Sequence, residues 1–215
     1  MRHLLASAAL LALSPIALAS PLAAQDGAAM TDETAKQDLT FERVFASPSL
    51  NGPSPRGAKL SPDGRYLTLL RNREDDKDLW GFDRETGEWT MLVDSEKLSS
   101  GRELSEDEKM QRERARVGNL KGIISYQWNA DSKGVLVPLD GDLYLAKLDG
   151  TVTQLTDTEE SELNPKLSQE GGYVSFVRDR QLWVAPIGGD AHPITPKEGE
   201  LIRWGEAEFV AQEEM

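Results

Sequence analysis

From Leu60 onward, short apolar runs and polar turns follow one another in a fixed order that recurs three times. Each copy opens on a hydrophobic residue and a four-residue turn: Leu60-Ser61-Pro62-Asp63-Gly64, Trp128-Asn129-Ala130-Asp131-Ser132 and Leu167-Ser168-Gln169-Glu170-Gly171. An apolar strand comes next, over 66–70, 135–139 and 173–177. A second strand then begins on an apolar pair, Leu79-Trp80, Leu143-Tyr144 or Leu182-Trp183. A glycine turn (Thr86-Gly87, Asp149-Gly150, Gly188-Gly189) leads to a closing strand that ends near Leu92, Leu155 and Ile194. Between the second and third copies the landmarks move together: 167 − 128, 182 − 143 and 194 − 155 all equal 39. Asp-Gly and Pro-Asp-Gly between apolar runs are hairpin chemistry, because Asp and Gly tolerate the positive φ of a tight turn. Several short strands repeated at about 40 residues predict propeller blades. The hairpins of a β-sandwich would show similar turns without a constant period. A fourth copy starts at Ile202-Arg203-Trp204. The expected fold is therefore all-β, an incomplete β-propeller of three to four four-stranded blades. Since a closed propeller has about 4–8 blades, the sequence reads as a fragment with open strand edges, a hazard for aggregation.

The first and second copies stand 128 − 60 = 68 apart, so 68 − 39 = 29 residues are inserted, about 97–122. Within them Ser105 followed by Glu108 is a capping box, acids crowd the first turn, and Arg112, Arg114 and Arg116 crowd the last. Gly118 follows as a stop. The spacing predicts a charged α-helix over 105–116 with almost no apolar face, one that projects from its blade. On such a helix Arg112 and Arg116 share a face and Arg114 points elsewhere. Upstream, 39–45 reads as a short strand or helical turn, 51–57 as a turn-rich loop, and 25–38 as a small, polar, disordered linker.

The first 24 residues change the picture of location. Arg2 and His3 precede an apolar run, and Ala17-Leu18-Ala19 and Leu22-Ala23-Ala24 supply small residues at two cleavage points. This is the pattern of a signal peptide, 1–24, cut after Ala19 or Ala24, which implies a periplasmic or secreted protein. Charge narrows the partners. Lys and Arg number 24 against 37 acids, a net −13, which repels nucleic acid phosphates and anionic lipid, so neither nucleic acid nor membrane is an expected partner after cleavage. With no Cys, and only His192 left after the signal, neither a metal site nor a cofactor is expected. His192 sits at a blade turn, and the sequence holds no Gly-x-Ser-x-Gly elbow. No catalytic residue is assigned, and the chain is expected to be inactive on its own.

Three local patterns resemble the dipeptidyl peptidase IV group of serine peptidases (S9B) over about 39–215. The Leu-Ser-Pro-Asp-Gly and Leu-Trp repeats look like blades of that group's eight-bladed N-terminal propeller, and also like Tol-type periplasmic propellers. The stretch 104–126, with Arg112-Glu113-Arg114-Ala115-Arg116 and Gly122-Ile123-Ile124-Ser125-Tyr126, is similar to the arginine-bearing helix of some members. The end, 208–214, resembles the family segment Asp-Trp-Val-Tyr-Glu-Glu-Glu, with Glu208, Phe209, Ala211 and Gln212 as departures. The resemblance implies release of N-terminal X-Pro or X-Ala dipeptides by the intact protein, through an α/β-hydrolase domain that this sequence lacks. It implies that Glu213 and Glu214 hold the substrate α-ammonium and that Arg112, favoured over Arg116, reaches a substrate carbonyl. It also implies peptides with a free N-terminus as partners, and a homodimer when full length. The alternative expectation is a non-enzymatic, Tol-like propeller that binds a protein partner.

Overall fold

A computed structural model describes residues 39–46, 50–52, 54–73, 76–207 and Ala211. The signal and linker assignments, and Glu213 and Glu214, lie outside these residues. Chain order begins with a short helix α1 (Phe41–Phe45), whose N-cap Thr40 hydroxyl accepts from the Arg43 amide at 3.2 Å. The first blade is β1 (Arg56–Leu60), β2 (Tyr66–Arg73), β3 (Asp76–Asp83) and β4 (Glu88–Val93), antiparallel in chain order. Then come α2 (Ser95–Leu98), α3 (Glu106–Arg114) and β5 (Lys121–Gly122). The second blade is β6 (Gln127–Trp128), β7 (Gly134–Leu139), β8 (Asp142–Lys147) and β9 (Val152–Gln154). The third is β10 (Leu163–Leu167), β11 (Tyr173–Arg178), β12 (Gln181–Pro186) and β13 (His192–Pro193). The repeat read from the sequence is thus one four-stranded antiparallel meander per copy.

Each blade turns its opening corner in the same way. The amide of Gly64, Ser132 and Gly171 donates back to the carbonyl three residues earlier at 2.8, 3.0 and 2.9 Å. These three equivalent residues all have positive φ. In the third blade a Cβ on Gly171 would fall 1.8 Å from Asn129 Oδ1 of the second blade, so that side chain would have to move. The neighbouring turns are also bonded, with the Asp63 amide donating to Ser132 Oγ at 3.0 Å.

The blades pack face to face. Successive residues of a strand point to opposite faces, and β7 uses both: Val135 and Val137 join Leu70, Leu79, Val93 and Trp128, whereas Leu136 joins Val174, Phe176 and Ala185. Blade two is therefore covered on both sides, which is why its two central strands, β7 and β8, are buried almost throughout. A polar clasp repeats in each blade. Asp78 accepts from the Ser95 amide and hydroxyl at 2.9 and 2.8 Å, the Leu143 amide donates to Thr156 Oγ1 at 2.9 Å, and the Leu182 amide donates to Thr195 Oγ1 at 2.9 Å.

Three expectations need correction. Helix α3 ends at Arg114, and Arg116 lies beyond it, exposed and with φ 54°, so it shares no helix face with Arg112. The helix does not project: Glu108 and Arg112 are each only 8% exposed. Polar side chains fasten it, a means of docking that needs no apolar stripe. Part of the additional length also goes elsewhere, because β2 and β3 run eight residues against six in β7 and β8. Their overhang, Asp76–Lys77, pairs in parallel with β5. Finally, residues 201–207 form turns, not a strand. The Trp204 amide donates to the Arg180 carbonyl at 2.9 Å, and Gly205 lies against Val177 and Leu182 of the third blade.

Candidate functional site

The β7–β8 turn and the segment joining blades two and three lie against the insertion. Asp140, in the β7–β8 turn, receives the Ser99 hydroxyl and the Ser100 amide at 2.6 and 3.0 Å. Arg102 Nη1 donates to the Thr158 carbonyl at 2.6 Å, and its Nη2 is buried without a hydrogen-bond partner among the described residues. The capping box of α3 forms as read: Glu108 N donates to Ser105 Oγ at 3.2 Å and Ser105 N to Glu108 Oε2 at 3.4 Å. The same Oε2 accepts from Ser161 Oγ at 2.8 Å, on the segment joining blades two and three. One turn later Gln111 Nε2 donates to Asn164 Oδ1 of β10 at 2.6 Å.

Arg112 is thereby set into the wall of a cavity of about 450 Å³ between α3 and the inner strands of the blades. Its Nη1 donates to the Leu120 carbonyl at 3.3 Å, the one hydrogen bond of the guanidinium to a described residue. Burial holds the guanidinium below its ordinary pKa, while Glu108 and Asp140 pull it back up. Arg112 and Leu139 also line a second, open cavity of about 870 Å³ under the start of the insertion. Cavities of roughly 300–1,000 Å³ suit small ligands and short peptides.

A buried acidic network forms part of the first cavity's wall. Glu162 accepts from Thr156 Oγ1 at 2.6 Å, Thr158 Oγ1 at 2.8 Å and Arg178 Nε at 2.8 Å. Asp142 is 3.5 Å from Thr156 Oγ1, so one hydroxyl stands between two carboxyls. Burial pushes the Glu162 carboxyl above its ordinary value, against the two threonine hydroxyls and Arg178, and burial likewise raises Asp142. The Arg178 guanidinium lies 4.7 Å from the Trp183 ring centre.

Of the residues singled out from sequence, Arg112 lies in this site. Arg116 does not, and Arg203 ties residues 201–207 to α3 through Asp107 at 3.3 Å. His192 is exposed on β13. Glu108, Asp142, Glu162 and Arg102 were missed. A partial signal existed for Asp142 and Thr156, whose counterparts Gln181 and Thr195 lie 39 residues on (181 − 142, 195 − 156). Among the described residues no group of three or more His, Asp or Glu is placed to hold a metal ion. No helix there is long and apolar enough to cross a membrane.

Residues 129–215 match the family model described as the dipeptidyl peptidase IV (DPP IV) N-terminal region. Among solved structures, the chain is similar to TolB from Acinetobacter baumannii, at 14% identity over 70% of this chain and 34% of that one, TM-score 0.43. It is also similar to a putative TolB from Agrobacterium tumefaciens, at 17% identity over 66% and 49%, TM-score 0.45. A prolyl endopeptidase, one of two studied for inter-domain dynamics in catalysis and specificity, shows 15% identity over 68% and 22%, TM-score 0.47. The chain thus spans between 22% and 49% of the lengths of these proteins.

Proposed function

We propose, from the match of residues 129–215 to the family model of the DPP IV N-terminal region, that this chain serves substrate admission and N-terminus recognition in an exported dipeptidyl-peptidase-like serine exopeptidase. The observation that supports it is Arg112, held by its neighbours in the wall of a peptide-sized cavity and bonded to one carbonyl only. In this reading the remaining Arg112 donors take a backbone carbonyl of the substrate. Glu213 and Glu214 take its α-ammonium, which titrates near 7.7–8.0 and is mostly cationic at neutral pH. Release of the dipeptide is the work of an α/β-hydrolase domain, with its own serine, acid and histidine. The signal sequence at 1–24 directs the protein to the periplasm or outside the cell.

The test is calorimetric binding of Ala-Pro-Ala-amide to the protein, with a free or an acetylated N-terminus. The free amine should bind more tightly. Glu213→Gln or Glu214→Gln should remove about 10- to 100-fold of that affinity, since a charge-assisted hydrogen bond is worth about 1.5–3 kcal/mol and ~1.4 kcal/mol is tenfold. Arg112→Ala should weaken both peptides alike, because the carbonyl it serves is common to them. Equal affinity for free and acetylated peptides would reject the assignment.

A further inference from the structure

The repeat places one residue of each blade's innermost strand at the same register position, just before the landmarks Leu60, Trp128 and Leu167: Lys59, Gln127 and Lys166. All three line the cavity that holds Arg112. In a chain of net charge −13, two of three such positions are cations. Among the described residues neither lysine has a carboxylate partner. Lys59 Nζ instead donates to the Tyr126 carbonyl and sits 4.5 Å from the Tyr126 ring centre. The acids of the same cavity are already engaged, Glu108 by Ser105 and Ser161, and Glu162 by Thr156, Thr158 and Arg178. Gln127 Oε1 accepts from the Leu167 amide at 3.1 Å, which leaves its Nε2 as a neutral donor at the third position.

We infer that Lys59 and Lys166, with Gln127 between them, form an anion site that takes a carboxylate of a peptide lying in this cavity. Two cations facing one space without a counter-charge raise the energy of the empty site, and a carboxylate between them removes that cost. Burial and the charge of Lys166 both hold the Lys59 ammonium below its ordinary pKa, in keeping with that arrangement. The inference takes from the proposed function only that the ligand is a peptide, and it concerns a carboxylate, not the amino terminus.

The experiment compares Ala-Pro-Glu-amide with Ala-Pro-Gln-amide, each with a free and an acetylated N-terminus, by calorimetric titration of the protein. The glutamate peptide should bind about tenfold more tightly in both pairs, the difference between a charge-assisted and a neutral hydrogen bond. Lys166→Gln, at an exposed position, should bring that ratio to about one without changing the melting temperature, and Lys59→Gln should also bring it to about one. A glutamate-to-glutamine ratio near one in the unmodified protein, or a ratio untouched by Lys166→Gln, would overturn the site. Inorganic phosphate that binds below millimolar concentration and displaces the glutamate peptide would overturn the peptide assignment in favour of a free anion. A retained ratio with no preference for the free amine would sink the N-terminus reading alone.

Discussion

Thr68 joins two blades through one oxygen. Trp128 Nε1 donates to its Oγ1 at 2.9 Å, and the Tyr126 hydroxyl, bonded to the Gly57 carbonyl at 2.6 Å, lies 2.9 Å from the same atom. Thr68 is fully buried, so loss of that oxygen leaves a buried indole N–H unpaired. Thr68→Val should cost about 1–3 kcal/mol in urea unfolding, and Thr68→Ser should restore most of it. Glu162 and Asp142 make a pH-dependent counterpart. Burial is the largest cause of both upward shifts, so the fold prefers these carboxyls protonated. The stabilisation they give is complete below the unfolded carboxyl values, about 3.9–4.3, and is lost as pH rises through the folded values. Stability should therefore fall as pH rises above about 4.3, and Glu162→Gln with Asp142→Asn should flatten that slope in melting curves. An unchanged slope in the double variant would place the titration elsewhere.

The insertion is held at both ends, and glycine makes one end possible. Gly122 has φ 69°, and a Cβ there would meet the backbone O and N of Lys77 at 2.7 and 2.8 Å. Gly122→Ala should free β5 from β3, read as faster amide exchange over 121–123 with blades two and three unaffected. The blades were legible because each copy repeats the same turns and strand pairings: the Leu155 and Ile194 amides both close on the second strand, donating to the Leu143 and Leu182 carbonyls at 2.7 and 2.9 Å. The seat of α3 was not legible. Glu108 and Gln111 find their partners Ser161 and Asn164 about fifty residues away, through hydrogen bonds that leave no apolar period in the sequence. The capping box was readable because Ser105 and Glu108 act locally. Arg112 was read as one of a same-face pair, but the left-handed turn at Arg116 ends the helix first.

At the scale of the molecule, three stacked blades bury both faces of the middle one and present one working face, where the insertion, the segments joining the blades and residues 201–207 converge. Peptide binding at that face is the central claim. Hydrogen–deuterium exchange of the protein with and without a saturating Ala-Pro-Ala-amide tests it most directly. Slower exchange is expected over α3, at 106–114, and over the inner strands β1, β6 and β10, with less effect from the acetylated peptide. Protection confined to the outer strands β4, β9 and β13, or no protection at all, would contradict it.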